Sequence, residues 1–176
     1  NSLVNIPLGG GKGGVTVNPK ELSKSELEEL SRAYVRAFHE VMGADKDIPA
    51  PDVYTNPEIM AVMLQEFEKI KGKKEPGMIT GKPLSYGGIA IRADSTSRGG
   101  ALVLEKLFMK KDLNKEITKI AIQGFGNAGK NMAKFLMNEG YTIVAVSDSK
   151  GGIVVDSGLD IKQAMALKEE GKLSSY

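Results

Sequence analysis

The segment "KIAIQGFGNAGKNMAKFLMNEGYTIVAVSDSKG" limits the fold of this chain more than any other stretch. An apolar run, Ile120 to Gln123, leads directly into Gly124-Phe-Gly126-Asn-Ala-Gly129. An amphipathic stretch with Met132, Phe135 and Leu136 follows, and then a second apolar run ending on Asp148. Strand, glycine turn, helix and strand in that order make one βαβ unit. Each glycine has its own task. Gly124 permits the tight turn, Gly126 lets a pyrophosphate approach the backbone, and Gly129 lets helix and strand pack closely. The helix begins at Asn127 and Ala128, and its free N–H groups and positive end suit phosphate. Asp148 lies 19 residues beyond Gly129, near the ~20 expected of an acid that takes the adenosine ribose hydroxyls. NAD or NADP is therefore the expected cofactor. Asp148 favours NAD, whereas Ser149 and Lys150 beside it could accept the 2′-phosphate of NADP.

A second glycine-rich stretch, "PLGGGKGG", sets five glycines around Lys12. It fails as a phosphate loop. Ile6 stands where the first glycine of that motif belongs, and Gly13 replaces the hydroxyl residue after the lysine. What remains is a lysine whose neighbours carry no side chains to crowd a ligand. The "VTVNP" that follows reads as a short strand.

The next segment, "KELSKSELEELSRAYVRAFHEVMG", repeats apolar residues at three and four: Leu27, Leu30, Tyr34, Phe38 and Val41. That spacing predicts a helix. Ser23 with Glu26, or Ser25 with Glu28, supplies a capping box, and Gly43 a stop. Pro49 and Pro51 stiffen the loop "DIPAPDVY". "TNPEIMAVMLQEFEKIKG" reads as a second helix, capped by Thr55 and Glu58, with Ile59, Val62, Met63, Phe67 and Ile70 facing the core. A glycine-, proline- and lysine-rich stretch from Gly72 to Ala93 includes "TGKPLSYGG" and reads as loop. A third helix starts near Ser95. Beyond the βαβ unit, "GGIVVDSG" reads as a small hairpin or strand and "DIKQAMALKEEGK" as a final helix. Too few strands are present to complete a parallel sheet.

Composition removes several classes of function. There is no cysteine, which excludes disulfides, thiolate catalysis and cysteine-bound metal. His39, the single histidine, sits in a helical pattern without metal-binding companions and reads as structural. Charged residues make up 26% and the net charge is +2, so no nucleic-acid surface is expected. The basic run "KIKGKK" has no interleaved aromatics for base stacking. No apolar run spans a membrane and no secretory pattern is visible, so a cytoplasmic protein is expected. The chain opens on "NSLVN" without an initiating methionine, as a processed, trimmed or internal segment would.

Taken in order, "IPLGGGKGG", "IPAPDVYTNPEIM", "TGKP", "RADSTSRGG" and "IAIQGFGNAG…VAVSDSKGG" resemble glutamate dehydrogenase from Asn1 to about Leu159. Leucine and phenylalanine dehydrogenases share a similar lysine loop but are not expected to carry "PAPD", which favours the glutamate enzyme. The resemblance implies an α/β fold. Residues 1–92 would be the later part of a substrate domain, and residues 93–176 the first part of a Rossmann-like dinucleotide-binding domain. It also implies reversible, NAD(P)-dependent deamination of L-glutamate to 2-oxoglutarate and ammonia, in a homo-oligomer that is a hexamer. Lys12 matches the family's catalytic lysine, with Gly10 and Gly11 beside it at the substrate. An ammonium in a poorly hydrated cleft near other cations releases its proton more easily than in water, and could then activate a water molecule. Asp52 matches the aspartate that exchanges protons with the substrate amino group; without the resemblance it reads as a turn or capping aspartate. Thr96 matches a threonine near the nicotinamide, flanked by Arg92 and Arg98 as cofactor contacts or ion-pair partners. The family's two substrate-carboxylate lysines would lie before Asn1 and further pocket residues after Tyr176. An internal segment lacking complete substrate recognition is therefore expected, and a non-catalytic fragment stays open as an alternative.

Overall fold

A computed structural model describes residues 2–176. The chain divides into two compact units, Asn1–Arg92 and Ala93–Tyr176.

The first unit is built on two helices, α1 (Lys24–Phe38) and α2 (Pro57–Lys71). Ser23 caps α1 through a reciprocal box with Glu26, one of the two pairs expected. The cap of α2 differs from expectation. Asn56, not Thr55, accepts from the Ile59 N–H at 2.9 Å, and Pro57 fills the first helical position. Thr55 is drawn back onto Asp52 instead. An Asn-Pro pair starts a helix well, because the amide oxygen reaches the orphan N–H groups and proline needs none.

Burial also departs from the predicted stripes. On α1, Val35 is fully buried, while Phe38 and Val41 face solvent. The helix ends at Phe38, so Val41 is no longer on its face, and Gly43 lies beyond the turn rather than at the stop. On α2, Ile59 through Leu64, Glu66 and Phe67 are all buried, and only Ile70 of the expected face is exposed. A helix apolar nearly all round is a core helix. Its partners are Val35, Met42, Met78 and Ile79. The strand expected at Val15–Val17 is absent: those residues are irregular and exposed. Among the described residues of this unit the only β-pairing is an isolated bridge, Met42 to Asp47, so an extended segment there has no ladder to join.

The second unit carries the sheet. Helix α3 (Ser95–Lys110) precedes strand β1 (Lys119–Gln123), helix α4 (Asn127–Asn138), strand β2 (Thr142–Asp148), strand β3 (Gly151–Val154) and helix α5 (Ile161–Glu169). Sheet order is β1-β2-β3. β1 and β2 run parallel, Lys119 opposite Thr142 and Gln123 opposite Ser147, joined by α4. A parallel pair needs such a crossover. β3 folds back antiparallel on β2 through Ser149 and Lys150, with Asp148 opposite Gly151. The core gathers Phe125, Ala133, Leu136, Ile143, Val146, Ile161 and Ala164. No helix among the described residues is long and apolar enough to cross a membrane.

Candidate functional site

Two groups of predicted site residues assemble, one in each unit.

In the second unit, the turn after β1 uses its glycines for different reasons. Gly124 has φ +92°, a left-handed conformation that side chains resist. Its N–H and that of Phe125 both donate to the Ser147 carbonyl, at 2.9 and 2.7 Å, which ties the turn to the end of β2. Gly129 is buried against the turn: a Cβ there would lie 2.0 Å from the Gly124 carbonyl oxygen. At Gly126 a Cβ would meet nothing within 4 Å, so the space before the helix stays open. Gly126 is the N-cap of α4 and no side chain caps that end. The first N–H groups of α4, at Asn127, Ala128 and Gly129, are thus left for an anion. Phe125, between the glycines, is completely buried and pins the turn into the core.

The start of α3 is brought against this turn. The buried Ser97 hydroxyl donates to the Ala128 carbonyl at 2.8 Å, and the Asn127 side-chain amide donates to the Ala93 carbonyl at 3.0 Å. Thr96, on the first turn of α3, is exposed next to these contacts. Arg98 pairs with Asp94 at 3.1 Å and lies over the Phe135 ring at 4.8 Å, which fits its ion-pair reading. Arg92 sits in the 3-10 turn Ala90–Ala93.

At the end of β2, Asp148 has a partner that the sequence did not reveal. Lys168 on α5 donates to Asp148 Oδ2 at 2.5 Å, and the Lys150 N–H donates to Oδ1 at 2.7 Å. The Asp148 side chain is only 7% exposed. The Lys168 ammonium, then the backbone N–H of Lys150, hold its carboxyl below the usual aspartate range. Ser149 is exposed beside it. The carboxylate expected at the ribose therefore carries its own cation. The 20-residue separation between the two gave no local signal, because the strand–hairpin–helix fold makes the contact.

In the first unit, Lys12 and Asp52 meet as an ion pair although forty residues separate them in sequence. Their side chains are 78% and 56% exposed, so the pair contributes little to stability, about 0–1 kcal/mol. They share a cleft of about 740 Å³ whose apolar wall includes Leu30, Tyr34, Met60 and Met63. Four of the five surrounding glycines are not demanded by packing. A Cβ at Gly9, Gly10, Gly11 or Gly14 would meet nothing within 4 Å, whereas at Gly13 it would strike the Tyr34 hydroxyl at 2.4 Å. Asp52 is held by Thr55: its N–H donates to the Thr55 hydroxyl at 2.6 Å, and that hydroxyl donates to its carbonyl at 3.0 Å. His39 closes α1, with Nδ1 2.8 Å from the Arg36 carbonyl. Among the described residues no cluster of acids and histidine could hold a metal.

A glycine turn of this geometry, leading from a strand into a helix that crosses to a parallel neighbour, defines the second unit as Rossmann-like. The relatives narrow that class. Residues 87–175 match the Glutamate/Leucine/Phenylalanine/Valine dehydrogenase family, and residues 1–69 match the Glu/Leu/Phe/Val dehydrogenase dimerisation domain. The chain belongs to this dehydrogenase family. It is 45% identical to the NADP-specific glutamate dehydrogenase of Synechocystis sp. over 96% of its own length and 39% of that protein. It is 46% identical to the catabolic NAD-specific glutamate dehydrogenase of Bacillus subtilis over 90% of its length and 38% of that protein. Among solved structures, the hetero-hexameric glutamate dehydrogenase of Thermus thermophilus, in a leucine-bound form, superposes with a TM-score of 0.83 at 35% identity. That match covers 88% of this chain and 38% of the other. The chain thus spans about two fifths of the length of the relatives it matches.

Proposed function

We propose that the whole protein carrying this chain is an NAD(P)-dependent glutamate dehydrogenase, converting L-glutamate reversibly to 2-oxoglutarate and ammonia. The observation that carries this reading is the meeting of Lys12 and Asp52 in one glycine-lined cleft, in a chain whose relatives are named glutamate dehydrogenases.

Asp52 takes a proton from the substrate amino group, which frees its lone pair. The dinucleotide, when bound, supplies the acceptor for the hydride that leaves the α-carbon. Lys12 activates the water that adds to the resulting iminium carbon, takes its proton and stabilises the carbinolamine oxygen. Asp52 returns its proton to the carbinolamine nitrogen, and ammonia departs as the hydroxyl proton passes back to Asp52. Gly10 and Gly11 leave room for the amino acid at the lysine. The α4 N-terminus, with Gly124, Gly126, Asn127, Ala128 and Gly129, would hold the pyrophosphate, and the open space at Gly126 fits that group. Asp148 and Ser149 would face the adenosine ribose, with Thr96 and Arg92 toward the nicotinamide. Both NAD-specific and NADP-specific relatives exist, and with Asp148 at the ribose its partner Lys168 would bring a cation beside the group that distinguishes the two cofactors. By resemblance the protein assembles as a homo-hexamer.

The test is a substrate panel on the whole protein: L-glutamate, L-leucine and L-phenylalanine, each with NAD and NADP, followed by nicotinamide reduction. Turnover of L-glutamate well above the other two is expected. Oxidation of L-leucine or L-phenylalanine with none of L-glutamate would overturn the assignment.

A further inference from the structure

The sequence "TGKP" has no part in the chemistry above, yet it touches the loop that carries Asp52. Met78 and Ile79, fully buried in the first unit's core, anchor the segment that enters this turn. The next residue, Thr80, donates its N–H to the Pro49 carbonyl at 2.9 Å. Gly81 follows with φ +71°. A Cβ on Gly81 would lie 2.5 Å from Pro51 Cγ and 2.6 Å from Cδ. The Lys82 ammonium closes the turn on the Ile79 carbonyl at 2.8 Å. The proline ring against Gly81 belongs to the residue directly before Asp52. On the other side of Asp52, Thr55 fixes the same backbone to the start of α2.

We infer that the Thr80-Gly81 turn is a positioning element for Asp52. It braces the Pro49–Pro51 segment on the core, so that the carboxylate is presented at Lys12. This rests on the catalytic reading of Asp52. The ring is rigid and Gly81 has no side chain to yield, so a single methyl group there must displace either the turn or the proline. A displacement of about an ångström at a reacting group costs up to roughly a hundredfold in rate.

The experiment uses the whole protein with Gly81→Ala, Pro51→Ala, the double variant and Asp52→Asn. Readouts are kcat and KM for L-glutamate, NAD(P)H affinity by fluorescence and the thermal midpoint. Gly81→Ala is expected to lower kcat on the order of tenfold to a hundredfold, well below its melting temperature, with dinucleotide affinity unchanged. The double variant is expected to recover part of that kcat, because the Cγ and Cδ atoms that clash are gone. A purely structural role would lower the midpoint without this rescue. Wild-type kcat in Gly81→Ala, or a double variant no better than the single, would overturn the inference while Asp52→Asn is inactive. Full turnover in Asp52→Asn would instead overturn the catalytic reading itself. If Gly81→Ala does not fold, Pro51→Ala alone decides. A several-fold loss in kcat is expected as the loop loosens, and an unchanged kcat would overturn the inference.

Discussion

Gly129→Ala separates a packing role from a binding role inside a single motif. The added methyl would sit 2.0 Å from the Gly124 oxygen, 3.0 Å from its carbonyl carbon and 3.3 Å from Ile122 Cγ2. Ordinary contact begins near 3.4 Å, so the helix or the turn must retreat by about 1.4 Å. Both blocking atoms of the turn are backbone and cannot rotate away. Overpacking of this kind costs about 1–3 kcal/mol. For a chain of this size that lowers the melting temperature by roughly 2–4 °C per kcal/mol. Gly126→Ala is the matched control. Its methyl meets nothing, so the fold loses only about 0.5 kcal/mol, from a poorer N-cap. That methyl does occupy the space through which a pyrophosphate would reach the helix N-terminus. Thermal unfolding and NADH titration of both variants provide the assay. Gly129→Ala is expected to lose stability together with affinity, and Gly126→Ala mainly affinity. A Gly129→Ala protein with wild-type stability would refute the packing argument, and wild-type NADH affinity in Gly126→Ala would refute the placing of the phosphates.

Lys168→Ala should raise the KM for NADP more than that for NAD, measured with both cofactors on the whole protein, because it removes a cation beside the ribose position. The same variant should flatten the acid limb of the stability curve. The Asp148 carboxyl is held low in the folded state, so its contribution is present above its unfolded pKa near ~3.9 and is lost as pH falls through its lower folded value. Urea midpoints from pH 7 to pH 3 would check the sign. Glu66 is buried between Arg36 at 3.0 Å and Arg32 at 3.4 Å. Glu66→Ala is expected to lower unfolding free energy by about 1–3 kcal/mol, since both arginines remain partly exposed and regain water. Denaturant melts give that difference.

The second unit was legible because its signals are local. Strand, glycine spacing and helix are contiguous from Lys119 to Asn138, and each glycine's duty follows from backbone sterics. The elements that failed depend on partners remote in sequence. Val15–Val17 has the residues of a strand but, among the described residues, no neighbouring strand. Thr55 has the spacing to Glu58 that a cap requires, but the competing Asn56-Pro57 pair takes that role and Thr55 turns to Asp52. The α1 stripe holds at Leu27 and Tyr34, which pack on the core, but not at Phe38, and Val35 is the residue that is fully buried. Lys168 was invisible for the same reason, since only the hairpin and α5 carry it to Asp148. The resemblance, not spacing, points to roles for Lys12 and Asp52, and their contact is a property of the folded cleft.

Lys12→Ala in the whole protein tests the central claim most directly, with steady-state oxidation of L-glutamate and NADH binding measured on the same preparation. Lys12 lies in the first unit, away in sequence from the glycine turn at Gly124, so NADH affinity should be unchanged. Turnover is expected to fall by at least ~10²-fold, as befits loss of a group acting on the reacting atoms. Wild-type turnover in Lys12→Ala would contradict the account.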